Sequence, residues 1–150
     1  MFAKTLRNSS SLFRFFSTSS KIQAINPPGL KAGNYSYAIK VNPNANLIFV
    51  SGCVPVDPQT GHKPEGFVDQ TNLAMKNLVN ILEHSNSSVE NIVKCTAYLT
   101  DMANYDAFNK EYKNWFKDAT MPTRVCVAVK ELPFGVKVEV DAIAVEKESK

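Results

Sequence analysis

The clearest pattern in the sequence is the alternation of apolar and polar residues near its C-terminal end. The runs TRVCVAVK (residues 123–130) and VKVEVDAIAVE (residues 136–146) alternate along their length, which predicts two β-strands. The intervening ELPFG has the proline and glycine of a short connection. A third strand is predicted upstream, because IVKCTAYL (residues 92–99) is rich in branched and aromatic residues.

Two further strands are predicted before the first helix. The chain becomes strand-like from Tyr35 onward, and LIFVSG (residues 47–52) is a second apolar run. The turn-forming NPNAN between them predicts that the two strands pair as a hairpin. The loop that follows, VPVDPQTGHKPEG (residues 54–66), is long and rich in proline and glycine, and such loops often carry function.

Two segments show apolar residues at spacings of three and four, which is typical of amphipathic helices. One runs from about Phe67 to His84, and the other lies within residues 102–119, where aromatic residues form a stripe. The order β-β-α-β-α-β-β predicts an α+β protein with a mixed sheet and both helices on one face. No helix is left for the other face, so we expect a second copy of the chain to cover it.

An arginine and a cysteine stand out in the strand predicted at residues 123–130. Side chains alternate between the faces of a strand, so Arg124 and Cys126 share one face, opposite to the valines. If the last two strands pair as a hairpin in a suitable register, Glu139 joins them there. The guanidinium could then hold a small organic acid by two parallel hydrogen bonds. A structural Arg–Glu pair between adjacent strands is the alternative.

The first twenty residues have the composition of a mitochondrial transit peptide. They contain Lys4, Arg7 and Arg14, many serines and no acid, and the charges interrupt the apolar residues too often for a secretory signal or a membrane span. RFFS (residues 14–17) suggests cleavage after Phe16. We therefore expect a leader over residues 1–20, one domain over residues 21–150 and a location in the mitochondrial matrix. A disordered basic tail is the alternative.

The charge balance argues against broad binding of nucleic acids. The chain has 17 lysines and arginines against 14 acids, and without the three bases of the leader each sign counts 14. A neutral domain lacks the clustered positive charge that binding to a phosphate backbone requires. We expect neither a nucleic-acid partner nor a membrane partner.

The three cysteines suggest neither a metal site nor a disulfide framework. Cys53, Cys95 and Cys126 form no CxxC pair, and the two histidines add no metal-ligand spacing. In a reducing compartment all three should remain thiols. Cys126 beside Arg124 could be an activated nucleophile, but a cysteine in a valine-rich strand is more often a space-filling group.

Five segments together cover nearly all of the domain: GNYSYAI (33–39), FVSGCVPVDPQTG (49–61), NLVNILE (77–83), IVKCTAYLTDM (92–102) and PTRVCVAVKELPFGVKVEVDAIAVE (122–146). They resemble the RidA (YjgF) family of enamine/imine deaminases. The resemblance implies a chorismate-mutase-like α+β protomer that assembles into a homotrimer, with sites in the clefts between subunits.

The same resemblance implies an activity. Members hydrolyse reactive 2-imino acids, such as 2-iminobutanoate and 2-iminopropanoate, to 2-oxo acids and ammonia, without a cofactor or metal. Pyridoxal-phosphate enzymes release these imino acids. For a chain with this leader, the resemblance implies protection of such enzymes and support of branched-chain amino-acid synthesis, isoleucine included, in mitochondria.

The family's site residues can be carried onto this sequence. Arg124 would bind the substrate carboxylate, Glu139 would position water, and Cys126 would be the site cysteine. The remaining substrate-binding positions would be Tyr35, Ser51, Gly52 and Asn109.

The sequence also departs from many members of the family, and other functions stay open. The departures are Asn34, Tyr37 and Cys53, and they leave the pocket size and the preferred imino acid open. Relatives are also described as translation inhibitors with ribonuclease activity, which implies an RNA-acting protein. A trimer that binds a ligand in the same pocket without turnover is a third candidate.

Overall fold

The structure, a computed structural model, describes residues 21–30, 33–117 and 119–147. The predicted leader over residues 1–20, with its cleavage after Phe16, lies outside the described residues. Eight strands and helices make up the described part: β1 (Ile22–Ile25), β2 (Ala38–Val41), β3 (Leu47–Cys53), α1 (Phe67–His84), β4 (Ile92–Leu99), α2 (Tyr105–Trp115), β5 (Thr123–Ala128) and β6 (Val138–Val145).

The main sheet has four strands in the order β3-β6-β4-β5. β6 pairs antiparallel with both β3 and β4, whereas β4 and β5 run parallel. β1 and β2 form a separate two-stranded antiparallel sheet. The α+β class with a mixed sheet is therefore confirmed, and the N-terminal strand β1 is an addition to the predicted order.

The predicted hairpin between the strand after Tyr35 and residues 47–52 is wrong. β2 pairs with β1, with Ile22 opposite Val41, and β3 pairs with β6. β1 is only four residues long and directly follows the predicted leader, so alternation could not identify it. Because β1 occupies the pairing edge of β2, the NPNAN turn connects two different sheets.

The last two strands do not form a hairpin either, because β4 lies between them. β5 follows β4 through α2, and a helical crossover of this kind joins parallel neighbours. Ala97 of β4 consequently lies between Cys126 of β5 and Val140 of β6. Residues opposite one another share a face, so Glu139 points to the other face. The expectation that Glu139 joins Arg124 and Cys126 on one face is wrong.

Both helices lie on the face of the sheet that carries Ala97. The bounds predicted for the first helix are those of α1, and its hydrophobic face packs on β3 and β6. The central side chains are fully buried, each contributing about 1.5–3 kcal/mol from transfer out of water. They include Met75, Leu78, Leu82, Leu99, Phe108, Tyr112, Val138 and Val140. In the described part of the chain, neither helix is long and apolar enough to cross a bilayer.

The opposite face of the main sheet is open and partly apolar. Phe49 is 73% exposed, and Leu47, Val125 and Val127 are also exposed. Apolar side chains that cluster on an exposed sheet face mark an interaction surface. The sequence predicts that no helix is left to cover this face. Among the described residues, no element covers it.

Gln70 joins the start of α1 to the start of β6. Its side chain is 2% exposed. Its amide Nε2 donates to Pro64 O at 2.7 Å, and its Oε1 accepts from the backbone N–H of Lys137 at 2.7 Å. A buried amide that is hydrogen-bonded through both its nitrogen and its oxygen fixes the position of two loops at once.

We predict that Gln70→Met lowers the free energy of unfolding by about 2 kcal/mol, because it keeps the volume but leaves two backbone groups without partners. Urea unfolding of the purified protein measures the difference. Asn80→Met, an exposed amide-to-thioether change on the same helix, is the control and should be nearly neutral. Equal stabilities of the two variants would contradict the role of Gln70.

Candidate functional site

Arg124 projects from β5 against α2 on the helix-covered face. Its Nη2 donates to Asn109 Oδ1 at 2.7 Å. Its guanidinium carbon lies 4.7 Å from the ring centroid of Tyr112, 5.6 Å from that of Phe108 and 5.9 Å from that of Tyr105. The cation is thus surrounded by three aromatic rings and one amide oxygen. Within the described residues it has no carboxylate partner.

One guanidinium nitrogen of Arg124 lacks an acceptor. Nη1 is buried, and no group in the described part of the chain accepts a hydrogen bond from it. A buried charged donor without a partner costs more than the 1–3 kcal/mol that is typical of neutral groups. A carboxylate would supply both the acceptor and the missing negative charge. The local structure therefore favours the binding of an anion at Arg124.

The aromatic rings reach Arg124 because of helical spacing. Tyr105, Phe108 and Tyr112 lie at positions i, i+3 and i+7 of α2 and therefore face the same side. Phe108 and Tyr112 are also fully buried, as expected of a core stripe. Asn109 follows Phe108 at the rim of this stripe, where its amide meets the guanidinium. Aromatic faces attract cations, so the stripe is both core and support for Arg124.

The loop over residues 33–37 forms a wall beside Arg124. Asn34 Nδ2 donates to Asn109 O at 3.2 Å, and Ser36 donates through its N–H and its hydroxyl to carbonyls just before β5. Tyr35, between these two anchors, is held next to the same end of the sheet. The rings of Tyr35 and Tyr37 meet edge to face, with centroids 5.6 Å apart. Asn34, a departure from many family members, thus connects this loop to α2.

Cys126 lies on the same face as Arg124 and is half-buried. Burial raises the pKa of its thiol, and the charge of Arg124 opposes this rise only in part. Cys95, directly opposite Arg124 on β4, is fully buried, and burial raises its pKa to about 12. Both groups are therefore neutral thiols at neutral pH, which argues against an activated thiolate nucleophile.

Ser51 and Gly52 form a bulge at the end of β3. Val50 lies opposite Ala142 and Cys53 lies opposite Val140, so two residues of β3 face the single residue between them on β6. A Cβ atom on Gly52 would collide with the carboxylate of Glu139. Glycine at this position therefore leaves the space that the Glu139 side chain occupies.

Glu139 belongs to the open face, in a polar region around β6. Its neighbour Asp141 accepts a hydrogen bond from Tyr98 Oη at 2.9 Å. This bond raises the pKa of Tyr98, because the ionised phenolate has no proton left to donate to Asp141 and the hydrogen bond is lost. The carboxylate of Glu139 makes no hydrogen bond or ion pair with the described residues. Its carboxylate is available to a ligand or a partner.

The predicted site residues therefore form two groups in one chain. The first group lies at the β5 edge beside α2: Arg124, Cys126, Asn109 and Tyr35. The second lies on the open face, near the opposite edge: Glu139, Ser51 and Gly52. The sequence interpretation missed the aromatic surroundings of Arg124, although the helical spacing of the stripe was visible. Within the described residues, no cluster of histidine, cysteine or acidic side chains could hold a metal ion.

Comparison with known proteins identifies the family. A family model described as Endoribonuclease L-PSP matches residues 25–146. The chain belongs to this family, the RidA/YjgF family. The resemblance seen in the sequence is thereby confirmed. Protein HMF1 of Saccharomyces cerevisiae is 41% identical over 117 residues, which cover 78% of this chain and 88% of that protein.

Two further RidA/YjgF comparisons concern TdcF of Escherichia coli. A protein named "Putative reactive intermediate deaminase TdcF" is 42% identical over 102 residues, or 67% of this chain and 79% of its own. The crystal structure of TdcF with bound serine matches with a TM-score of 0.66 and 39% identity. It covers 78% of this chain and 91% of TdcF, which confirms the chorismate-mutase-like α+β fold class.

We predict that Tyr112→Leu weakens the binding of 2-oxobutanoate, a small carboxylate, about tenfold, because the ring nearest to the guanidinium is lost. Tyr112→Phe keeps the ring and should change the affinity less than about twofold. Isothermal titration calorimetry measures both dissociation constants.

Phe116→Leu is the matched control for a disturbed core. Phe116 packs against Tyr112, with ring centroids 4.8 Å apart, and is not among the rings around Arg124. It should lower stability without weakening binding. If Phe116→Leu and Tyr112→Leu weaken binding equally, the ring of Tyr112 has no specific effect on Arg124.

Proposed function

We propose that this protein hydrolyses small 2-imino acids to 2-oxo acids and ammonia. The observation that carries the proposal is the buried Nη1 of Arg124, a charged donor without an acceptor among the described residues. A carboxylate adjacent to the reacting carbon is the common feature of 2-imino acids. The name of TdcF and its structure with serine, which also has a carboxylate, support the same class of ligand.

Arg124 would orient the substrate through its carboxylate. Asn109 holds Nη2, so the guanidinium presents its other N–H groups in a fixed direction. The imine carbon is bonded directly to the carboxylate carbon and is thereby held at a defined distance from the guanidinium. Tyr35, in the wall formed by residues 33–37, would bound the space for the substrate side chain.

The reaction itself needs water and a group that transfers protons. Water adds to the carbon of the C=N bond and gives a 2-amino-2-hydroxy acid, whose C–N bond then breaks to release ammonia and leave the 2-oxo acid. Glu139 would take a proton from the attacking water and pass it to the imine nitrogen, and would then carry the hydroxyl proton to the amino group as the C–N bond breaks. No electrons are gained or lost, so the step requires no oxidant or reductant.

A second copy of the chain would complete the site. Within one chain Glu139 points away from Arg124, whereas the open face that carries Glu139 also exposes apolar side chains. When the open face of one copy meets the β5 edge of the next, Glu139, Ser51 and Gly52 come to Arg124. Contacts of this head-to-tail kind form a ring when the rotation between neighbours closes, and a homotrimer is the proposed ring.

The leader suggests where this reaction takes place. Residues 1–20 have basic, serine-rich composition without acids, which supports import into the mitochondrial matrix. There the activity would protect pyridoxal-phosphate enzymes from reactive imines and support isoleucine synthesis.

A ribonuclease is the second candidate, because the matching family model carries that name. The charge balance disfavours it, since the chain without its leader is formally neutral. Filter binding of a single-stranded RNA over a salt series separates the two candidates, because phosphate contacts predict a steep loss of affinity with salt. Absence of binding at low salt would exclude an RNA-acting protein.

We predict that Arg124→Ala and Glu139→Ala each abolish formation of 2-oxobutanoate from 2-iminobutanoate. The imine is generated in the assay by a threonine dehydratase. If the two variants are co-expressed in equal amounts, about a quarter of wild-type activity should return, because each site takes one residue from each of two neighbours.

The mixture distinguishes the two parts of the proposal. If one chain supplied both residues, no site in the mixture would be intact and activity would stay absent. Unchanged turnover in Arg124→Ala would overturn the proposed function itself. Circular dichroism of each variant serves as the folding control.

We also predict that Gly52→Ala lowers kcat about a hundredfold with little loss of stability, because the new methyl group displaces the Glu139 carboxylate. The collision involves the end of a flexible side chain, so the backbone need not move. A wild-type kcat in Gly52→Ala would disprove the steric explanation.

A further inference from the structure

A groove separate from the Arg124 site lies at the C-terminal end of α2, on the helix layer. Its volume is about 500 Å³. Three lysines line it, Lys110, Lys113 and Lys117. Its apolar lining comes from Phe116, Ala119 and Met121. The volume falls within the range of roughly 300–1,000 Å³ that is usual for small-molecule sites.

The three lysines bring positive charge to this groove. Lys110 and Lys113 stand at positions i and i+3 of α2, where like charges repel, and Lys117 follows just beyond the end of the helix. None of the described residues that line the groove is acidic. Glu111, within the same stretch, is engaged elsewhere, because its Oε2 accepts from Asn72 Nδ2 of α1 at 3.3 Å. Among the described residues, the three ammonium groups make no hydrogen bond or ion pair.

The position at a helix end explains the charges only in part. Cations near a helix C-terminus are favourable because they interact with the helix dipole. That effect does not require an apolar hollow beneath the charges. Here the ring of Phe116 is 3% exposed, and Ala119 and Met121 are half-buried beside it. Lysines that only face solvent would not require an apolar surface beneath them.

We propose that this groove binds a small amphipathic anion: a carboxylate or phosphate carried on a short alkyl or aryl group. The ammonium groups would hold the anionic head, and the apolar tail would lie on Phe116, Ala119 and Met121. Neither turnover nor the second copy of the chain is involved, because the groove lies on the helix layer and not on the open sheet face. The proposal is therefore independent of the proposed deaminase.

Titration calorimetry of the full chain with octanoate and with octyl phosphate at low salt tests the proposal. We expect a dissociation constant of about 0.1–1 mM for both. Acetate lacks the tail and octanamide lacks the charge, so neither should bind measurably. The combined Lys110→Gln, Lys113→Gln and Lys117→Gln variant should lose affinity at least about tenfold, because the head-group charges are removed.

Two controls locate the binding. A triple variant with the same change in net charge, made at Lys40, Lys76 and Lys130, should keep the wild-type affinity. Because Arg124 itself favours an anion, both lysine triples are also made in the Arg124→Ala background, where a carboxylate bound at Arg124 does not contribute. Equal losses in the two triples in that background would overturn the proposal.

A separate part of the experiment tests which kind of molecule supplies the anion. Co-sedimentation with vesicles of anionic phospholipid tests whether the lysines act on a lipid surface, and a single-stranded oligonucleotide tests a polyphosphate. Binding of vesicles or oligonucleotide without binding of octanoate or octyl phosphate would overturn the small-ligand site. Binding of the two soluble ligands alone supports it.

Discussion

The position of β4 between β5 and β6 is the constraint on which the site depends. Side chains opposite one another in neighbouring strands share a face, so Cys126, Ala97 and Val140 form one row under the helices. The residue before Val140 must then point away from them. Glu139 and Arg124 are thereby separated by an intervening strand and by the sheet itself. A reaction that uses both requires two chains.

The same geometry decides between the two interpretations of Arg124 that the sequence left open. A structural Arg–Glu pair across adjacent strands is impossible for Arg124 and Glu139 within one chain. The guanidinium is instead held by Asn109 and aromatic rings, which are neutral. Neutral partners orient a cation and shield it from water, but they do not cancel its charge. The guanidinium of Arg124 therefore lacks an anionic partner, and none of the described residues supplies one.

Local periodicity predicted most of the helices and strands, but it could not predict which strands pair with one another. The bounds of α1 and the strand at residues 92–99 follow from spacing within each segment. The partners of β2, β3 and β5 depend on contacts far apart in sequence, and both predicted hairpins failed for that reason. The bulge at Ser51 was likewise invisible, because a bulge is defined by its partner strand.

Two opposite charges that lack partners among the described residues, on different surfaces of one chain, give the proposed interface its physical basis. A copy that covers the open face would bury the exposed Phe49 and Val125, which is favourable, but it would also remove Glu139 from water. The carboxylate of Asp141 already accepts a hydrogen bond from the hydroxyl of Tyr98, whereas that of Glu139 has no hydrogen-bond partner among the described residues. A buried carboxylate is tolerated only beside a cation or well-placed donors. In the proposed assembly the β5 edge of a second copy, where Arg124 lacks an anion among the described residues, would meet this requirement, with the substrate and a water between the two charges.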